Sequence, residues 1–307
     1  MRKSDLKSLL AGVLVAVPLC LAFGTATLAW TTRSPGADGM PQSALLGMTA
    51  AGLVALSAAA IGLRVERAQV ASRLASVDQE AAERAKWLAN QAAAEQMSLR
   101  NVAPLLPAEV LPASSFSMRA ANLEALADIL LRHRPRLVVE LGSGLSTLLI
   151  ANRFKTAGNG GRLVAFEHDE RWAELCRYYL LANGLDGIAE IRTVPLTRRS
   201  ALGCEVPWYD LPTAPSDLDR IDLLVVDGPP AGDPRHAAAR APALEVFYPR
   251  LSPEARVFLD DTDRTGERAV VDAWVESFPE FHPRFARTLS GYCVLERLAP
   301  SARRAVP

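Results

Sequence analysis

Five carboxylates stand at or beside the ends of apolar runs in this chain: Glu140, Glu167, Asp227, Asp260 and Asp261. Packing alone does not require acids at such places, so their recurrence points to chemistry. A single acid closing a strand can accept two hydroxyl protons in a bidentate bond. A group of three hard oxygen donors suits magnesium, manganese or calcium, although Asp227, Asp260 and Asp261 also read as helix caps or turn residues without a metal. Directly after Glu140 the stretch Gly142-Ser143-Gly144 joins an apolar, mostly β-branched run, Leu137 to Val139, to Leu145, Leu148, Leu149 and Ala151 at helical spacing. The glycines remove side chains where a ligand must approach the backbone, and the following helix presents unpaired N–H groups. His236 is the nearest candidate base to Asp227, and it reads more readily as a cap or a solvent-facing residue.

Alternating elements must position these residues. Ser117 is expected to cap a helix over Met118 to Arg132, with Leu123, Leu126, Ala127, Leu130 and Leu131 on one side. Strands follow at Leu137 to Glu140, Arg162 to Glu167, Ile188 to Val194, Ile221 to Val226 and Ala255 to Leu259, with a closing hairpin of Arg284 to Leu289 and Tyr292 to Leu298. Helices are expected at Glu170 to Ala182, capped by Asp169 and stopped by Gly184, at Ala237 to Leu251 and at Glu267 to Phe278. The connection Pro195 to Arg220, with Trp208 and Tyr209, reads as a substrate lid or as a surface loop pinned by an aromatic pair. This order predicts an α/β fold, a doubly wound, mostly parallel seven-stranded sheet with ligands at the carboxyl ends of its strands.

The amino-terminal part differs in composition. Leu9 to Trp30 and Ala44 to Leu63 are apolar runs, each long enough to cross a bilayer as a helix. Arg2, Lys3 and Lys7 precede the first, and Arg64, Arg67 and Arg73 follow the second, which predicts both termini and the folded domain on the cytoplasmic side of the inner membrane. A cleaved signal peptide is the competing reading of the first run, which exceeds the usual apolar core of about 7 to 15 residues. Beyond it Val70, Leu74, Val77, Ala81, Leu88 and Ala92 fall near heptad spacing, a helical stalk that allows a homodimer. The expected divisions are residues 1–63 as membrane anchor, 64–103 as stalk and 104–307 as the folded domain.

Lysine plus arginine equals aspartate plus glutamate at 34 each, so no nucleic-acid partner is expected. The four cysteines, Cys20, Cys176, Cys204 and Cys293, form no CxxC pair, which fits reduced thiols.

On Glu140-Leu141-Gly142-Ser143-Gly144 with Ser146 and Thr147, on Glu167 closing the second strand, and on the terminal hairpin, the domain resembles the class I S-adenosylmethionine-dependent methyltransferases. Within them it is most similar to small-molecule O-methyltransferases of the catechol and caffeoyl-coenzyme A type. The resemblance covers roughly the carboxyl-terminal 60% of the chain, not the anchor or stalk. It implies S-adenosylmethionine held by Glu140, Gly142, Ser143, Gly144, Ser146, Thr147, Glu167 and His168, with Glu140 toward the ammonium and Glu167 toward the ribose hydroxyls. The metal-dependent branch further implies a divalent cation such as Mg2+ on Asp227, Asp260 and Asp261; Asp227 and, by its nearness in this sequence alone, His236 are the catalytic candidates. Asp261 stands where that branch has an amide, and no lysine follows Asp227 where the catechol enzymes keep a base.

A nicotinamide-binding unit is disfavoured, because Thr147 occupies the third glycine position of GxGxxG and Glu140 would repel a pyrophosphate. The implied activity is methylation of a small or lipid-soluble acceptor at the membrane. The alternative is a membrane-anchored scaffold that keeps the fold without turnover.

Overall fold

The computed structural model describes residues 42–112, 114 and 117–297. The chain divides into two compact units, Met1–Lys86 and Trp87–Pro307. The first apolar run lies outside the described residues. The second belongs to helix α1, Gln42–Val102, which continues without a break into the charged sequence after Leu63. Among the described residues no helix is long and apolar enough to cross a membrane. The expected span over 44–63, and the anchor and inner-membrane location drawn from it, are therefore not supported. Much of that run is Ala, Gly, Ser and Thr, which contribute far less to membrane transfer than Leu, Ile or Phe. Val70, Leu74 and Val77 of the expected seam are exposed on α1. A short 3-10 turn, Ala103–Leu105, ends the helix around Pro104, as the imide predicts.

In the second unit seven strands form one sheet in the order β3-β2-β1-β6-β7-β9-β8. They are β1 Leu137–Leu141, β2 Arg162–Glu167, β3 Ala189–Thr193, β6 Ile221–Val226, β7 Leu251–Asp260, β8 Phe281–Ala286 and β9 Tyr292–Arg297. The pairs joining β3 through β7 are parallel, while β9 runs antiparallel to both β7 and β8. The sheet is mixed, as a largely parallel sheet with a hairpin edge must be. The chain winds from β1 outward through β2 and β3, then returns to β6 on the other side of β1. That reversal is the place where open α/β sheets bind ligands.

Successive β1 residues face opposite layers. Val138 packs with α2 (Ala120–His133), α3 (Leu145–Ala157) and α4 (Glu170–Ala182), whereas Val139 and Leu141 pack with α5 (Pro242–Phe247) and α6 (Thr265–Ser277). Glu140 therefore shares the face of Val138, toward α3.

Several boundaries differ from the sequence expectation for identifiable reasons. Helix α2 begins after Arg119 without a side-chain cap, and Ser117 does not cap it. Its free N–H groups are taken by Glu95 of α1, whose carboxylate accepts from Ala120 at 2.7 Å and Ala121 at 3.1 Å. The expected helix over Ala237 to Leu251 is shortened to α5, because Pro242 must sit in a first turn. Strand β8 begins three residues earlier than expected and accommodates Pro283 because it is an edge.

The connection read as a lid or a pinned surface loop is an antiparallel ribbon, β4 Leu196–Ala201 with β5 Cys204–Tyr209. Leu202 and Gly203 turn it with φ of 50° and 76°. Both central residues thus have the positive φ of a tight hairpin turn, with leucine where Asn or Asp is usual. Trp208 and Tyr209 are buried on β5.

Candidate functional site

Sheet register gathers the candidate residues. Leu141 pairs with Phe166 on one side and Val226 on the other, and Val226 pairs with Leu259. One residue further on, in parallel strands, stand Gly142, Glu167, Asp227 and Asp260, a row along one edge of the sheet. Glu140 lies just inside that row. All five sequence-predicted acids are thereby brought to the carboxyl end of the sheet, with Asp261 following Asp260.

The glycine turn is built close against its neighbour. Gly142 has φ of 87°, and a Cβ there would lie 3.0 Å from the backbone nitrogen of Gly228. A Cβ on Gly228 would meet the Tyr209 hydroxyl and the Gly142 nitrogen at 2.4 and 2.9 Å. These two glycines pack backbone to backbone and form the floor. Gly144 is different, because nothing lies within 4 Å of where its Cβ would be, and its extended φ admits any residue. Its bareness leaves open space at the mouth of the turn.

Glu140 is fully buried. Thr147 Oγ1 donates to its Oε2 at 2.6 Å and accepts the Gly144 N–H at 2.8 Å, so the threonine ties turn, helix start and acid together. Oε1 of Glu140 has no partner. Burial pushes this carboxyl up to about 8, against the lowering influence of the neighbouring Ser146 and Thr147 hydroxyls. A buried acid with one oxygen satisfied and the other free is an acceptor waiting for a donor.

Glu167 is buried but well supplied. Its Oε2 accepts from Ser143 N at 2.9 Å and Ser143 Oγ at 3.1 Å, and its Oε1 from His168 N at 2.7 Å, Asp169 N at 3.0 Å and His168 Nδ1 at 2.9 Å. Burial works against the charge, but these bonds outweigh it and hold the carboxyl below its ordinary value. The same contact raises His168. The acid expected to face ribose hydroxyls thus also braces the glycine turn, and Trp172 Nε1 adds a 2.7 Å bond to Ser143 O. Asp169 caps α4 as expected, accepting from Arg171 N and Trp172 N.

One carboxylate oxygen from each of Asp227, Asp260 and Asp261 lies within 4.8 Å of the other two. Burial raises Asp227 to about 6 and Asp260 well above the usual carboxylate range. Into this group reaches Arg240, which the sequence reading missed. Its side chain is 3% exposed, and Nη2 lies 3.4 Å from Asp227 Oδ1 and 3.1 Å from Asp261 Oδ2. Asn122 of α2 was also missed; its Nδ2 donates to Asp260 Oδ1 and, at 2.9 Å, to Ser290 Oγ. A signal for it existed, since this amide shares the apolar stripe of Leu123, Leu126 and Leu130. His236 is not drawn into the acid group by any bond described for it. It closes a 3-10 turn, Pro234–His236, where its N–H donates to Asp233 O and its carbonyl accepts from Ala239 N.

Residues 139–262, which include the glycine turn, the ribbon and all five acids, match a family profile described as Methyltransferase domain. No curated protein matches the chain. Among solved structures, the chain is similar to an O-methyltransferase from Bacillus cereus in complex with SAH, at 18% identity and a TM-score of 0.44, covering 66% of this chain and 90% of that one. It is also similar to the O-methyltransferase TomG from Streptomyces achromogenes in complex with SAM, at 17% identity and a TM-score of 0.45, covering 68% and 90%. A third is the SAH-bound methyltransferase PaMTH1 from Podospora anserina, at 12% identity and a TM-score of 0.46, covering 62% and 83%.

Proposed function

We propose that the chain is an S-adenosylmethionine-dependent methyltransferase that acts on an oxygen nucleophile of a small molecule. The observation that carries this reading is the free, buried Oε1 of Glu140 beside the open glycine turn. A sulfonium cofactor bears an ammonium on its amino-acid end, and an ammonium supplies the donor that Oε1 lacks. The residues present therefore fit the group. Gly142, Ser143 and Gly144 would hold its amino-acid portion, with Ser146 and Thr147 shaping the helix start behind them, and Glu167 with His168 would flank the ribose.

When bound, the cofactor supplies an electrophilic methyl group on positive sulfur. The chain's contribution is alignment and removal of a proton from the acceptor. Asp227, raised toward neutrality and adjoining the glycine floor, is the residue assigned to take that proton. His236, on its own turn, is not needed for this role. Buried acids and a rigid floor position the reactants, and positioning is the larger part of what such a transfer requires.

Full-length protein incubated with methyl-labelled S-adenosylmethionine and a panel of phenols, alcohols and carboxylic acids should transfer label to at least one oxygen acceptor. Asp227→Asn should slow that transfer while leaving cofactor affinity in place. A protein that binds the cofactor yet labels nothing in the panel would favour the scaffold reading instead.

The state of Glu140 also sets a pH dependence. Below about 8 the empty site holds this carboxyl protonated. Docking an ammonium favours the ionised form, so binding at pH 7 releases a proton and tightens as pH rises toward 8. Calorimetry in buffers of different ionisation enthalpy measures this directly. Proton uptake, or an affinity that weakens as pH rises from 6 to 8, would contradict the assignment.

A further inference from the structure

Three carboxylates converging within 4.8 Å form a donor set of the right chemistry for a divalent cation. The space they enclose, however, is shared with a side chain of the same protein. Arg240 enters from the segment between β6 and α5, and its guanidinium spends its donors there. Nη2 donates to the Asp227 carbonyl and lies 3.1 Å from Asp261 Oδ2, while Nη1 donates to Asp260 O at 3.1 Å and lies 3.5 Å from Glu267 Oε1. Nε donates to Pro229 O at 3.4 Å. Every nitrogen of the fork is engaged with the carboxyl ends of β6 and β7 or the acids around them.

The acids are committed in turn. Asp261 Oδ2 also pairs with Arg264 Nη1 at 2.9 Å, and Asp260 Oδ1 accepts from Asn122. Asp261 holds a positive φ of 63°, a conformation unfavourable for a residue with a Cβ, and its carboxylate is pinned by the two arginines. A dication seated among these oxygens would stand within a few ångströms of a buried guanidinium, where like charges are poorly screened. The residues present do not fit a metal.

We propose that Arg240 is the resident cation of the Asp227, Asp260 and Asp261 cluster and stands in place of a divalent metal. It is a positioning residue, clamping the ends of β6 and β7 beside the glycine floor. The inference rests on these side chains alone and is independent of which reaction the site performs.

The test is electron paramagnetic resonance of Mn2+ titrated into the full chain, with calorimetry of Mg2+ alongside. Wild type should leave the free Mn2+ signal undiminished into the millimolar range, and so should Arg240→Lys, which keeps the charge. Arg240→Met should bind one Mn2+ at least tenfold more tightly than wild type, and adding Asp227→Asn should abolish that gain. Arg240→Met/Asp260→Asn provides a less charged background in case the single variant does not fold, and it should also bind Mn2+ more tightly than wild type. Micromolar Mn2+ binding by wild type that is lost in Asp227→Asn would overturn the proposal. So would a folded Arg240→Met that gains no binding.

Discussion

Replacing Glu140 with Gln lowers affinity for S-adenosylmethionine by on the order of 100-fold, a charge-assisted hydrogen bond being worth about 1.5 to 3 kcal/mol. The same substitution leaves the thermal midpoint unchanged or raised. The two halves of this expectation come from one side chain. In the empty protein Glu140 is pushed up to about 8 by burial, so at pH 7 a neutral amide replaces a mostly neutral acid. Gln keeps an oxygen to accept the Thr147 hydroxyl at the position of Oε2. What it loses is the ability to ionise, and its other atom becomes an N–H donor facing the ligand's own donor. Binding is therefore damaged while folding is spared, which distinguishes a ligand contact from a core residue. Calorimetry of S-adenosylhomocysteine, which keeps the ammonium but lacks the reactive methyl, isolates the effect from turnover. Equal affinity in the variant and wild type would sink the assignment of Glu140.

The glycines give the second large effect, and they divide it between folding and binding. Gly142→Ala should destabilise the protein by about 2 to 4 kcal/mol, combining the cost of a side chain at positive φ with overpacking. Its Cβ would press at 3.0 Å on the Gly228 nitrogen, and backbone there is fixed by bonds from Asp227 N and Gly228 N to Leu141 O. Gly144→Ala should fold normally, since its φ is extended and its Cβ would meet nothing. That methyl would project into the open mouth of the turn, so cofactor affinity should fall without a matching loss of stability. Denaturant unfolding and ligand titration of both variants check the division. A Gly144→Ala protein that binds normally would show that the open space is not where the ligand lies.

The parts of this molecule that were legible from its sequence are those whose local signals agree with the tertiary structure. Strands β2 and β6 and helix α4 begin and end where apolar runs, the Asp169 cap and Gly184 place them, because buried parallel strands and capped helices carry their own punctuation. The turn after Glu140 was legible for the same reason, since period and residue type change together there. The ribbon of β4 and β5 was not, because Leu202 occupies a positive-φ turn position that leucine rarely takes, and Thr197, Arg198 and Arg199 hide the alternation. Pro242 divides what reads as one helix.

The acid group was legible as a set of strand ends, but its partner was not. Arg240 looks like any of the arginines in its neighbourhood until the chain has folded and buried it against β6 and β7. A sequence shows where carboxylates fall along strands, whereas the cation that balances them arrives from a loop whose path only the tertiary fold determines. The expected span over 44–63 lacks support for a different reason. The run over 44–63 is apolar in pattern but weak in content, and it continues as one helix into a charged stretch.

In the proposed function, Glu140 and the glycine turn hold the amino-acid end of S-adenosylmethionine. Titrating the wild-type full chain with S-adenosylhomocysteine, and separately with an oxidised nicotinamide dinucleotide, tests it most directly. One mole of S-adenosylhomocysteine should bind per chain with a dissociation constant on the order of micromolar, about 8 kcal/mol of binding free energy, and the dinucleotide should give no heat. Binding of the dinucleotide with silence toward S-adenosylhomocysteine would contradict the account.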